Sequence, residues 1–328
     1  MTSEPQQSKP STDAEMMVAE SDSGARNAAG LAGKVILSLA FIWSAFQLYI
    51  ASSIPYVLSA STGLSLVFND QEARQIHLAF ALALAMLAFP LLKSSPRDRV
   101  PTTDWVLAAI AASSCLYLLV FKQDIAGRAG LPTTSDLVFS TLGLASLGLA
   151  VFRSLGLPLV IVASVFLFYV FFGHLSIMPD AIQWKGASYN KATWHFWMQT
   201  EGVFGVALGV SASMIFLFVL FGSLLEKAGA GNYFIKLAFA LLGHLRGGPA
   251  KAAVVASAMS GLYSGSSIAN VVTTGTFTIP LMKRTGFTPE KAGAVEVASS
   301  TNGQLTPPVM GAAAFLISEF TGVAYPDL

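Results

Sequence analysis

Residues 251–283 read KAAVVASAMSGLYSGSSIANVVTTGTFTIPLMK. Between Lys251 and Lys283 lie 31 residues without a charged side chain. One straight helix of that length would reach roughly 46 Å, well beyond a hydrocarbon core of about 30 Å. Its middle also resists a single helix. Ser260, Gly261, Ser264, Gly265, Ser266, Ser267 and Asn270 are followed by Thr273, Thr274 and Gly275. Glycine lets the backbone turn, and the hydroxyls and amide offer hydrogen-bonding groups. Both ends are basic, with Arg246 near Lys251 and Arg284 beside Lys283. Basic flanks mark the cytoplasmic side. Two cytoplasmic ends around one long uncharged segment predict a re-entrant hairpin over about 252–282. Irregular backbone at membrane depth survives only where protein covers it or where it lines a wet cavity.

The composition agrees with a membrane chain. Of 328 residues, 54% are hydrophobic and 11% charged. Adding the 28 glycines brings the apolar share to roughly 63%, against about 45–50% in soluble domains. The net charge of +1 gives no sign of a nucleic-acid partner, and the single cysteine, Cys115, rules out a disulfide framework. The fold class expected is an all-α polytopic membrane protein.

Residues 1–33 are polar and acidic and lack a signal-peptide pattern, so they read as a disordered cytoplasmic tail. Apolar spans follow at about 35–59, 76–92, 105–121, 137–152 and 157–173. Lys93, Arg97 and Arg99 mark one link as cytoplasmic, which puts the N-terminus inside. The link 122–134 then falls outside, although it carries Lys122 and Arg128. Residues 174–201 hold Trp184, Tyr189, Trp194 and Trp197, read as an interfacial aromatic belt or as a docking segment. A sixth span covers 202–225, and 232–246 reads as an amphipathic helix on the cytoplasmic surface, with a short seventh span as the alternative.

Thr288-Pro289-Glu290 is a helix start. The 22 uncharged residues after Glu296 are interrupted by Ser300-Thr301-Asn302-Gly303-Gln304-Leu305-Thr306-Pro307-Pro308, which predicts a broken helix over about 289–325. Two breaks near the midplane are how secondary transporters build sites: exposed N–H groups face anions, and freed carbonyls hold Na⁺. Ordinary helix packing through Ser and Gly is the competing reading. Glu296 is a functional candidate if it lies at membrane depth and a plain surface acid if it lies at the wet end.

Three runs resemble the large membrane subunit of tripartite ATP-independent periplasmic (TRAP) transporters: Gly265 to Arg284, Leu245 to Lys251, and Pro307 to Phe315. The details are similar to fused permeases, with small and large subunits in one chain, of the kind paired with TAXI-type binding proteins. The resemblance implies scaffold helices, here a small-subunit-like four-helix region over 34–155, and a transport region over 156–328. It implies an elevator-type carrier in the bacterial inner membrane, driven by Na⁺ or H⁺ and fed a small carboxylate by a periplasmic solute-binding protein. Ion and substrate sites would form at the hairpin tip and the unwound stretch. Asn302 stands where the family often has glycine, and Thr306 where it often has a large apolar residue. The family pairs two inverted repeats, whereas this sequence holds one hairpin and one broken helix; it reads as the first part of a permease roughly twice as long.

Two other classes compete. An intramembrane enzyme would use Ser264, Ser266 or Ser267 as nucleophile with His77, His174, His195 or His244 as base, but no catalytic motif accompanies them. A channel would show a polar stripe along several spans, whereas here the polar residues concentrate at two breaks.

Overall fold

The computed structural model describes residues 24–26, 28–92, 95–128, 130–176, 178–307 and 309–328, the side chains of 269 and 272 excepted. Among them every regular element is helical. Gly30–Ala51, Thr102–Val120, Thr134–Leu155 and Val206–Lys227 are long and apolar enough to cross a membrane. The chain is an all-α polytopic membrane protein. Its described residues form two compact units, 24–212 and 213–328.

The first unit holds α1 (Gly30–Ala51), α2 (Ile54–Thr62), α3 (Asp70–Ala88), α4 (Thr102–Val120), α5 (Lys122–Gly127), α6 (Thr134–Leu155), α7 (Leu157–Phe172), α8 (Tyr189–Thr193) and α9 (Val206–Val210). The expected first span divides at Ser52–Ser53, just before Pro55, which sits in the first turn of α2. Proline fits a first turn because its missing N–H has no helical partner there. The expected loop 60–75 is partly helical: Asn69 and Glu72 form a reciprocal capping box that starts α3 at Asp70.

Most of the expected tail, residues 1–23, lies outside the described residues, as does Lys93. Its last stretch differs from the expectation. Arg26 is buried, its Nη2 2.6 Å from Asp104 Oδ2. Arg153 Nη2 lies 2.9 Å from the other oxygen of Asp104. One further nitrogen of each guanidinium reaches backbone here: Arg26 Nη1 donates to the Leu87 carbonyl at 3.2 Å, and Arg153 Nη1 to that of Met86 at 2.9 Å. Those carbonyls close the C-terminal turn of α3, where no helical donor remains. One carboxylate between two guanidiniums thus gathers α3, α4, α6 and the residues before α1.

The opposite end of the bundle explains Lys122 and Arg128. Lys122 Nζ lies 2.5 Å from Glu72 Oε1, and Arg128 pairs through two nitrogens with Asp136 at 2.8 Å. Both charges are neutralised locally, so neither adds to a net basic flank.

The aromatic-belt reading is corrected for two residues. Trp194 and Trp197 sit in or beside a π-helical turn, and Trp197 is fully buried. Trp197 Nε1 donates to the Ser114 carbonyl at 3.3 Å, and its ring occupies the space beside Gly143, where a Cβ would lie 2.1 Å from Cζ2. An indole fills a core once its N–H has an acceptor. Tyr189 remains exposed.

Asp104→Asn leaves two buried guanidiniums without their counter-charge. It is expected to cost about 3–5 kcal/mol, read as a lowered melting temperature of detergent-solubilised protein. An unchanged melting temperature would show that backbone carbonyls alone hold the two arginines.

Candidate functional site

The second unit holds α10 (Phe216–Lys227), α11 (Ala230–Leu242), α12 (Gly248–Ser260), α13 (Ser267–Arg284), α14 (Pro289–Thr301) and α15 (Ala312–Thr321). The expected surface helix is α11. Ile235 and Ala238 pack on Ala252 and Ala256 of α12, while Lys236 and, just past the helix, His244 are exposed. α12 and α13 pack on each other as the two arms of a hairpin whose tip is 261–266. α14 packs on both arms. Its start is set by Thr288, whose hydroxyl accepts from the Lys291 N–H, with Pro289 behind it. The backbone N–H of Glu290 and the Thr288 hydroxyl hold the exposed Glu290 carboxyl below its usual range.

α14 stops where the sequence predicted a break. A 3₁₀ turn, Asn302–Gln304, follows it, and helix resumes at Ala312. Met310 lies between them at φ 49°, a left-handed conformation rare outside glycine. Two contacts close the irregular backbone against the hairpin tip. A Cβ on Gly261 would lie 2.7 Å from Gly303 Cα, and a Cβ on Gly265 would lie 1.8 Å from the Met310 carbonyl oxygen. Only glycine permits either approach.

Side chains then bridge the two breaks. Asn270 is buried, and its Nδ2 donates to the Ser257 carbonyl at 3.1 Å; a Cβ on Gly303 would lie 2.3 Å from that nitrogen. Ser257 Oγ lies 3.3 Å from Ser300 Oγ. Gln304 Nε2 donates to Ser267 Oγ at 3.1 Å, and the Gln304 carbonyl accepts from the Gly311 N–H at 2.8 Å. Thr306 approaches Gly261 through its Cβ. The Thr274 hydroxyl reaches the carboxylate of Glu296, which is fully buried.

Other predicted residues do not join this network. Ser260 bonds its own helix at the Ala256 carbonyl. Thr273 turns its methyl toward Gly231 of α11. Thr301 is exposed, its hydroxyl on the Val297 carbonyl, and the exposed Asn302 contributes its carbonyl to Thr306 Oγ1 at 2.8 Å. Pro307 is exposed, and Pro308 lies outside the described residues. Sequence reasoning missed Thr278, whose hydroxyl also reaches Glu296; Gly275, named there as a residue that lets the backbone turn, lies inside α13 beside that side chain. The signal was present: Asn270, Thr274 and Thr278 recur every four residues, the spacing of one helix face.

Beside the tip lies a cavity of about 370 Å³, lined by Tyr263, Ser264, Gly265, Ser266, Met310 and Phe315 among others. It joins hydroxyls and the side chain of Glu226 to an apolar wall and has the size of a small-ligand site.

Gly303→Ala forces Asn270 from its place and is expected to cost about 1–3 kcal/mol. Gly293→Ala on α14 meets open space and should be neutral or slightly stabilising. Melting temperatures of the two variants check this, and equal values would contradict the Gly303 contact.

Comparison with known proteins adds the family. The family model for the DctM component of the tripartite ATP-independent periplasmic transporter matches residues 142–328, more than half of the chain. The C4-dicarboxylate TRAP transporter large permease protein DctM of Rhodobacter capsulatus is 37% identical over 91 residues, 28% of this chain and 21% of the relative. The ectoine TRAP transporter large permease protein TeaC of Halomonas elongata is 28% identical over 160 residues, 48% of this chain and 33% of the relative. An uncharacterized protein, YgiK, of Salmonella typhimurium is 33% identical over 100 residues, 30% of this chain and 23% of the relative. The matched part thus spans about a fifth to a third of these relatives' length. No solved structure matches. With its hairpin and broken helix inside the matched region, the chain belongs to the DctM family of tripartite ATP-independent periplasmic transporter components.

Proposed function

We propose that this chain is the membrane permease of an ion-gradient-driven secondary transporter, working by an elevator motion and importing small organic acids across the bacterial inner membrane. The observation that carries the reading is the packing of a glycine-rich hairpin tip onto an unwound helix, bridged by Asn270, Ser257, Ser267 and Gln304. Broken helices of this kind expose backbone N–H groups and carbonyls at one place. The tip cavity, with Ser264 and Ser266 on its wall, takes a substrate carboxylate by its hydroxyl and N–H donors. Na⁺ is held by carbonyl and hydroxyl oxygens of the tip and of 300–307. Family membership supports the class, and C4-dicarboxylate and ectoine in the relatives' names support a small polar acid.

The remaining assignments follow from the same reading. The helices of 34–155, of which the part before residue 142 lies outside the matched family region, act as a fused small-subunit scaffold. The N-terminus is cytoplasmic, a TAXI-type periplasmic binding protein delivers substrate, and a second repeat from the rest of the permease completes the site. Neutralisation of Lys122 and Arg128 supports this orientation, since it removes the charge that opposed it. An intramembrane hydrolase is disfavoured by position: residues 213–328 contain one histidine, the exposed His244.

Substituting Asn270→Ala or Gln304→Ala in the complete permease, reconstituted with its binding protein, is expected to lower ion-coupled uptake on the order of tenfold, the loss of about 1.4 kcal/mol. Uptake is measured at matched protein levels. Wild-type uptake in both variants would place the coordinating groups elsewhere.

A further inference from the structure

Glu296 lies in the same network, at the contact of α13 with α14. It is fully buried midway along α14 and faces α13. Thr274 Oγ1 contacts Oε1, Thr278 Oγ1 contacts Oε2, and Ser300 Oγ lies 3.4 Å from Oε1. Gly275 gives the side chain its room, since a Cβ there would lie 3.1 Å from Glu296 Cγ. Among the described residues no Lys, Arg or His comes within ion-pair distance of it. The charged groups on the packed elements are Lys251 of α12, Lys283 and Arg284 of α13, and Glu290 and Lys291 of α14 itself. All five are exposed.

The hydroxyls have a second acceptor each. Thr274 Oγ1 lies 2.8 Å from the Asn270 carbonyl, and Thr278 Oγ1 lies 3.0 Å from the Thr274 carbonyl. Ser300 Oγ lies 3.3 Å from Ser257 Oγ. A threonine in a helix can turn its hydrogen to the carbonyl four residues back. With the hydrogens toward Glu296, the cage serves a carboxylate. With the Thr278 hydrogen turned to the helix, its oxygen accepts the one O–H of a carboxylic acid, while Thr274 and Ser300 keep donating to the other carboxyl oxygen. A metal ion between these oxygens would have to part groups already in contact, whereas a proton parts nothing.

We propose that Glu296 is a proton-binding site, loaded and released within the contact between α13 and α14. On loading, a proton from water bonds to Oε2 and is donated to Thr278 Oγ1, whose own hydrogen turns to the Thr274 carbonyl. On release the proton returns to water and the Thr278 hydroxyl hydrogen turns back to the carboxylate. The consequence, a proton as a coupling ion beside the two breaks, rests on the transport reading; the protonation itself does not.

The test is infrared difference spectroscopy of the purified full-length permease across roughly pH 6 to pH 8, where exposed carboxyls stay almost fully ionised. A protonated-carboxyl C=O band should grow as pH falls, vanish in Glu296→Gln, persist in Glu319→Gln and change frequency in Thr278→Val. A wild-type spectrum without such a band, a band present at every pH, or one that survives Glu296→Gln overturns the proposal. If Glu296→Gln does not fold, an unmoved band in Thr278→Val overturns it equally. Because no uptake is measured, failure here leaves the transport reading to its own assay.

Discussion

Backbone that leaves the helix in an apolar setting must be covered by protein or line a wet cavity. In this chain that constraint is met where Gly261 of the hairpin tip lies against Gly303 of the unwound stretch, and where Gly265 lies against the Met310 carbonyl. The tip can be irregular because the broken helix covers it, and the broken helix because the tip does. Met310 at positive φ is the local cost of bringing the chain back to that contact.

The first unit solves a related problem with charge. Buried ions hold only when paired and hydrogen-bonded. Asp104 gathers Arg26 and Arg153 at one end of the α3–α4–α6 bundle, and Glu72 and Asp136 hold Lys122 and Arg128 at the other. Nine-tenths of Trp194 and all of Trp197 fill the space between apolar helices nearby.

The sequence made the helices, the hairpin and the break legible because each follows from local chemistry: uncharged length, glycine, proline and hydroxyl capping. Thr288 and Pro289 start α14 as their types require. Tertiary partners were not legible. Arg26 and Arg153 share a partner, Asp104, that is distant in sequence from both, so no local pattern announces the pairing. Trp197 read as an interfacial residue because Gly143, which makes room for its ring, lies on another helix. Asn270, Gly261 and Gly303 lie together, while Thr273, Thr301 and Pro307 are on the same segments and face elsewhere. Residue type marked the segment; only packing selected the face. Glu296 was left between a membrane site and a wet helix end, and its burial among hydroxyls settles its surroundings.

The account stands on the hairpin entering the membrane and returning to one side. The most direct measurement replaces Lys251 and Lys283, one at a time, with cysteine in the native membrane. Each variant is labelled with a membrane-impermeant thiol reagent in intact cells and in inverted vesicles. Cys115 is buried, so background labelling is low. Both positions should label in inverted vesicles and resist in intact cells. Labelling of the two from opposite sides would make 252–282 a single crossing and contradict the account.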